Sequence, residues 1–112
     1  MSKHLRIYDK FFDIDVHNPR RCELTGGRRP KVEVHHIDAR GMGGNKKKDN
    51  IENCMALIST AHNYFGDKVQ YKDWLRENHE LYMMDQVPLL ERDPLDEILL
   101  KFITDCFGSL KI

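Results

Sequence analysis

The sequence predicts one small α+β domain, and three observations carry this prediction. Residues 31–37 alternate apolar and polar side chains, which is typical of a β-strand. Residues 54–58 form a short apolar run that predicts a second, buried strand. Apolar residues at helical spacing within 93–108 predict a C-terminal amphipathic helix. A chain of 112 residues suffices for a single domain with a modest core.

The N-terminal part predicts less regular structure. Residues 1–19 mix apolar and charged side chains without a clear period, and we interpret them as an arm that packs by its aromatic residues. A turn follows at Gly26 and Gly27, because paired glycines accept positive φ. In the strand that comes next, side chains alternate between faces. His35 and His36 therefore point in different directions if the strand persists.

A glycine- and lysine-rich loop, residues 40–50, separates the two strands. After the second strand, Ser59 or Thr60 is placed to cap a helix that runs through residue 65. A continuation of this helix to residue 78 is the alternative, although Gly66 weakens its middle.

The C-terminal helix has clear boundary residues. Asp93 is the expected N-cap, Pro94 the first helical residue and Gly108 the stop. The expected apolar face consists of Leu95, Ile98, Leu99, Phe102 and Cys106. We expect this face to pack against the rest of the domain. A homodimer interface is the alternative.

Charge is balanced overall but unevenly placed. The formal net charge of zero argues against a uniformly basic nucleic-acid-binding protein. Residues 20–48, however, carry nine basic and three acidic side chains, whereas residues 80–112 are mainly acidic. This asymmetry indicates a side that faces a polyanion and a remote side. Scattered, solvated charge explains the same pattern about as well.

The cysteines and the apolar runs bear on the compartment. Cys22, Cys54 and Cys106 are odd in number and widely spaced, so a disulfide framework is not expected. The first residues lack a signal-peptide pattern, and no apolar run approaches the length of a membrane span. We expect a cytoplasmic protein without a membrane partner.

Four polar residues stand at the junctions between the predicted elements. His35 and His36 end the first strand, Asn53 precedes the second, and His62 lies near the start of the following helix. Each alone has a structural explanation, such as a hydrogen-bonded strand histidine. Together, imidazoles from a strand end and a helix start can converge on one divalent cation. A further imidazole can accept a proton from water, and hydrolysis of a phosphodiester needs both groups.

The order of these residues resembles the HNH endonuclease motif, also called the ββα-metal motif or His-Me finger. The shared features are the run Val34-His35-His36-Ile37, the long loop, Asn53 and the spacing of nine from Asn53 to His62. The resemblance implies a ββα-metal core over about residues 20–70. Outside this core we expect the N-terminal arm before it and C-terminal helices over residues 71–112.

The resemblance implies a role for each residue. His35 corresponds to a metal ligand, and His36 to the general base that activates the attacking water. Asn53 corresponds to an asparagine that in some members holds the base loop and in others touches the metal. His62 corresponds to a second metal ligand. The implied cofactor is one divalent metal ion, Mg²⁺ or Mn²⁺ in use, with Zn²⁺ or Ni²⁺ as alternatives.

The chain also departs from the family. Many relatives hold a structural zinc with two Cys-x-x-Cys pairs, but here Thr25 stands in the partner position of Cys22, and Ile58 and Ala61 replace the second pair. We therefore expect apolar packing there instead of zinc. Some relatives place another histidine where this chain has Gly66. The candidates for the third ligand are Asn53, Asn63, a water molecule and Asp67.

Basic residues near the doublet are the expected contacts to DNA phosphates. Arg40 lies close enough in sequence to reach the scissile phosphate, and we place it with His36 and Asn53 among the catalytic residues. The other expected contacts are Arg28, Arg29, Lys46, Lys47 and Lys48. For the lysines, an ordinary solvated loop is the alternative.

The leading hypothesis is a metal-dependent HNH endonuclease that hydrolyses DNA. A noncatalytic ββα-metal module that binds nucleic acid or a protein is the first alternative. The second is an interaction domain whose histidines are structural.

Overall fold

The computed structural model describes residues 1–39 and 48–108, which form four α-helices and a two-stranded antiparallel sheet. The helices and strands are α1 (Lys3–Phe11), β1 (Val32–His36), β2 (Cys54–Ile58), α2 (Ser59–Phe65), α3 (Lys72–Asp85) and α4 (Glu97–Phe107). Short 3-10 turns lie at Ile51–Asn53, Val69–Tyr71 and Leu89–Glu91. The predicted α+β class is confirmed.

The two strands lie where the sequence predicts them. Their register places His35 opposite Met55 and His36 opposite Cys54. Every residue of β2 is buried, as expected for a strand that is covered on both faces. Along β1, successive side chains point to opposite sides of the sheet.

Two hydrophobic clusters cover the two faces of the sheet. The cluster on the α1 side contains Tyr8, Phe12, Val34, Cys54, Ala56 and Tyr82. The cluster on the α2 and α4 side includes Ile37, Met55, Leu57, Phe65, Leu99 and Phe102. Burial of each large apolar side chain contributes about 1.5–3 kcal/mol, so both clusters stabilise the packing of the sheet.

The N-terminal arm contains a helix, α1, that its irregular pattern does not predict. The expectation that aromatic residues anchor the arm is confirmed, since Tyr8 and Phe12 are buried. With the partly buried Leu5, they are spaced three and four residues apart and lie on one side of the helix. The charged residues between them obscured this spacing.

The alternative of one long helix through residue 78 is wrong. Helix α2 ends at Phe65, because Gly66 adopts an extended conformation with ψ 144° and Asp67 has φ 61°. Helix α3 is a separate helix that begins at Lys72, after the 3-10 turn at Val69–Tyr71. The predicted caps are also wrong, since Ile58 occupies the N-cap position of α2 without a side-chain hydrogen bond.

Helix α4 begins later than predicted. Asp96, rather than Asp93, is its N-cap, and the Asp96 carboxylate accepts a hydrogen bond of 3.0 Å from the backbone N–H of Leu99. Gly108 ends the helix with φ 78°, as the sequence predicts.

The predicted packing of α4 in the core is confirmed, although its face is rotated. The buried residues are Leu99, Phe102 and Ile103, whereas Ile98 and Cys106 are exposed. A homodimer interface on this helix stays a prediction. None of the helices in the described ranges combines the length and apolarity required to cross a membrane.

Candidate active site

His35 is buried on the sheet face that packs against α2. Its Nδ1 lies 3.1 Å from the carbonyl oxygen of Met55 and donates a hydrogen bond to it. In the neutral ring, Nε2 then carries the lone pair. That Nε2 atom is buried and has no hydrogen-bond partner among the described residues. Such atoms are uncommon in folded proteins, and this one is a suitable ligand for a metal ion.

His62 brings a second imidazole to the same place. The ring centroids of His35 and His62 are 4.5 Å apart, and the rings are tilted by 33°. Nδ1 of His62 lies 3.2 Å from Oε1 of Glu33. The ring also lies against Gly66, where an added Cβ would come within 2.5 Å of the imidazole Cδ2. The structure thus brings together the two residues expected to bind metal.

The electrostatic surroundings keep His35 neutral. Burial, and then the neighbouring imidazole of His62, lower the pKa of His35 to about 4. The Met55 carbonyl and the Asp67 carboxylate act in the opposite direction but are weaker. At pH 7 the ring is therefore uncharged, which is the form that binds metal ions.

Glu33 belongs to this site but was not among the predicted site residues. It precedes His35 by two positions in β1, so both side chains leave the same face of the sheet. The strand alternation was the sequence pattern that could have identified it. The site as built consists of two imidazoles and a carboxylate, held by β1 and by the first turns of α2.

His36 lies on the opposite face, toward α1, because β1 persists through this residue. The predicted divergence of the two neighbouring imidazoles is confirmed. Nε2 of His36 lies 2.6 Å from Oδ1 of Asp49, whose side chain is almost fully buried, and its ring lies 4.7 Å from that of His4. With the Nε2 proton donated to Asp49, the neutral ring carries its lone pair on Nδ1.

Asn53 joins the two ends of the loop that connects the strands. Its Oδ1 accepts a hydrogen bond of 2.8 Å from the Asp38 N–H. Its Nδ2 donates to the carbonyl oxygens of Asp38 and Lys48 at 2.9 and 3.0 Å. The carboxamide is thus engaged through both of its polar atoms. Of the two roles that the resemblance leaves open, bracing the loop is the one this geometry matches.

The basic residues are only partly placed. Lys48 forms an ion pair with Asp38, and Lys72 of α3 contacts the same carboxylate at 3.2 Å. These two hydrogen bonds lower the pKa of Asp38. Lys72 was not predicted, since only the fold brings it to Asp38. Arg28 and Arg29 are exposed. The remaining expected contacts, Arg40, Lys46 and Lys47, lie outside the described residues.

The apolar packing predicted around Cys22 and Ile58 is confirmed. Cys22, Ile58 and Ala61 are buried together. The backbone N–H of Thr25 points at the Cys22 sulfur at 3.5 Å.

The described residues supply no third acidic, histidine or cysteine ligand that would complete a metal site at His35 and His62. Within residues 1–39 and 48–108, no three such side chains are grouped to hold a metal ion together. Asn63 and Asp67 are both exposed. A metal ion held by two imidazoles alone would keep coordination positions open for water or substrate oxygens.

Comparison with known proteins adds no relative: no family model, curated protein or solved structure matches the chain. The resemblance to HNH endonucleases therefore rests on the motif residues of the sequence.

Proposed function

We propose that this protein is a metal-dependent endonuclease of the HNH, or ββα-metal, class that hydrolyses DNA phosphodiester bonds. The observation that carries the proposal is the pairing of His35 and His62. Each has its Nδ1 engaged by a hydrogen-bond acceptor, so each neutral ring offers Nε2 as a ligand atom. The order β1, β2, α2 is the order that a ββα-metal core over residues 20–70 requires.

The donor set fits a divalent metal ion. His35 and His62 would hold it, and the unpartnered, buried Nε2 of His35 is the observation behind this fit. When bound, Mg²⁺ or Mn²⁺ would offset the negative charge that develops on the phosphate and the leaving oxygen. Imidazole ligands would also accept Zn²⁺ or Ni²⁺.

His36 is the proposed general base. Asp49 holds its ring through Nε2, which leaves the lone pair of the neutral ring on Nδ1 to accept a proton from water. Asn53 positions this base indirectly, because it ties together residues 38 and 48 at the two ends of the loop. Roles for Arg40 at the scissile phosphate, and for Arg28, Arg29 and the lysines along the DNA, remain part of the proposal.

The test is nicking of supercoiled plasmid with Mg²⁺ or Mn²⁺, combined with Mn²⁺ titration by calorimetry. His36→Ala is expected to abolish turnover and retain metal binding, whereas His62→Ala is expected to lose both. The exposed His17 provides the matched control, since His17→Ala should change neither. Wild-type cleavage that survives EDTA and is unchanged in His36→Ala would overturn the assignment.

One observation favours a noncatalytic nucleic-acid-binding module as the second candidate. His36 lies on the sheet face opposite to His35 and His62, with Nε2 engaged by Asp49 and its ring beside His4. Binding of linear, supercoiled and branched DNA by the wild type, without cleavage of any of them in Mn²⁺, would favour this candidate.

A further inference from the structure

We propose that Glu33 is a positioning residue that fixes the tautomer of His62 and so presents His62 Nε2 as a ligand atom. The inference deepens the proposed function and rests on it. Glu33 acts through His62 and is not itself assigned to the metal.

The Glu33 carboxylate contacts the imidazole ring of His62 directly. Oε1 of Glu33 lies 3.2 Å from Nδ1 of His62, so the contact joins β1 to α2. Glu33 is paired with Leu57 in the sheet register, and Leu57 is fully buried, so the backbone that carries the carboxylate is well supported. The other carboxylate oxygen, Oε2, lies 3.7 Å from the ammonium group of Lys31.

This contact determines which nitrogen of the neutral His62 ring carries the proton. The ring has one N–H, and in free histidine this proton favours Nε2. A carboxylate can only accept at Nδ1, so Glu33 holds the proton on Nδ1 and leaves the lone pair on Nε2. Carboxylates behind histidine ligands commonly serve this purpose in metal sites.

His35 shows the same arrangement with a different acceptor. The Met55 carbonyl oxygen takes the place of the carboxylate, 3.1 Å from His35 Nδ1. In both rings, Nδ1 thus faces an acceptor that belongs to the sheet, and Nε2 keeps the lone pair. Direct ligation by Glu33 is disfavoured, since its Oε1 already faces His62 Nδ1 and no three-residue ligand group includes it among the described residues.

The first experiment measures the His62 tautomer in the metal-free protein, by two-bond ¹H–¹⁵N correlation NMR above the titration range of the ring. The wild type is expected to show the Nδ1–H form. Glu33→Leu, which keeps an apolar stem but removes the acceptor, is expected to shift His62 toward the Nε2–H form. Glu33→Gln retains a carbonyl oxygen and should preserve the Nδ1–H form. Lys31→Leu removes the cation beside the other oxygen of the Glu33 carboxylate, immediately before β1, and should also preserve the Nδ1–H form.

The second experiment is Mn²⁺ titration of the same variants. Loss of the orienting acceptor is expected to weaken Mn²⁺ binding roughly 10–100-fold in Glu33→Leu, with recovery in Glu33→Gln. A wild-type His62 in the Nε2–H form, or an unchanged tautomer in Glu33→Leu, overturns the inference. So does equal Mn²⁺ affinity in wild type and Glu33→Leu.

The two proposals fail in different ways. A wild type that binds no Mn²⁺ and cuts no DNA contradicts the proposed function, whatever the tautomer of His62. A wild type that binds Mn²⁺ and cuts DNA, with unchanged tautomer and affinity in Glu33→Leu, contradicts only the role of Glu33.

Discussion

Glu23 and His79 form an ion pair inside the protein: Nδ1 of His79 lies 2.6 Å from Oε1 of Glu23, and both side chains are fully buried. Nε2 of His79 lies 2.6 Å from the Ile51 carbonyl oxygen. Because both ring nitrogens face acceptors, the geometry favours the doubly protonated, positively charged ring. The second carboxylate oxygen accepts hydrogen bonds from the Tyr8 hydroxyl and the Ala56 N–H.

This pair predicts that stability falls as pH rises. Burial alone would lower the pKa of His79, but the hydrogen bond and charge of Glu23, with smaller contributions from the Ile51 carbonyl and Glu52, raise it above its ordinary value of 6.5. A pKa raised by folding stabilises the protein fully below the unfolded value, and this stabilisation is lost as pH passes the folded value. The free energy of unfolding by urea, measured at a series of pH values above 6.5, should therefore decrease.

His79→Gln provides the control for this prediction, because glutamine can form hydrogen bonds but does not titrate. The other histidines contribute equally to both proteins, so the difference in unfolding free energy between wild type and variant isolates the Glu23–His79 pair. The difference should shrink as pH rises. A difference that is constant across the range would contradict the charged state assigned to the ring.

Asn53→Ala should weaken the fold moderately and spare metal binding. The substitution removes three hydrogen bonds to the loop backbone and leaves the Asp38 N–H without its side-chain acceptor. Unpaired groups of this kind cost about 1–3 kcal/mol each when buried, and Asp38 is only partly buried. Urea unfolding should therefore show a loss at the low end of this range.

Mn²⁺ calorimetry on the same variant separates the two roles of Asn53. Retained affinity with reduced plasmid nicking is the outcome expected of a residue that braces the loop. Asn53→Asp keeps the acceptor and loses the donor, so it should fall between wild type and Asn53→Ala in stability. Loss of Mn²⁺ binding in a folded Asn53→Ala protein would instead identify Asn53 as a ligand.

The two strands could be predicted from the sequence because strand periodicity and apolar runs are visible among neighbouring residues. The alternating run forms β1, the apolar run forms the fully buried β2, and Gly108 has the positive φ that ends α4. Helix α1 escaped prediction because its few apolar residues find partners only in the folded protein. Its buried Tyr8 contacts Glu23, 15 residues away.

In the candidate site, too, the residues linked by a sequence motif could be predicted, whereas those that only the fold brings together could not. His35 and His62 could be paired from a motif, since the strand–loop–strand–helix order fixes their approach. The partner of His36 could not be foreseen, because Asp49 lies 13 positions away in sequence and no local pattern connects the two residues. The Glu23–His79 pair joins residues 56 positions apart, and no local pattern connects them.

Gly66→Ala tests whether the ring of His62 is held as tightly as the geometry indicates. The backbone at Gly66, with φ −64° and ψ 144°, suits alanine. A Cβ there would nevertheless lie 2.4 Å from the His62 carbonyl oxygen and 2.5 Å from its Cδ2. Relief requires displacement of the ring or of the end of α2, and overpacking of this kind costs about 1–3 kcal/mol.

We therefore expect Gly66→Ala to lower both the free energy of unfolding and the affinity for Mn²⁺. Gly27→Ala is the matched control, because its Cβ would meet only the Thr25 hydroxyl at 3.4 Å, an ordinary contact. Equal stability and equal Mn²⁺ affinity in the two alanine variants would show that His62 is free to move.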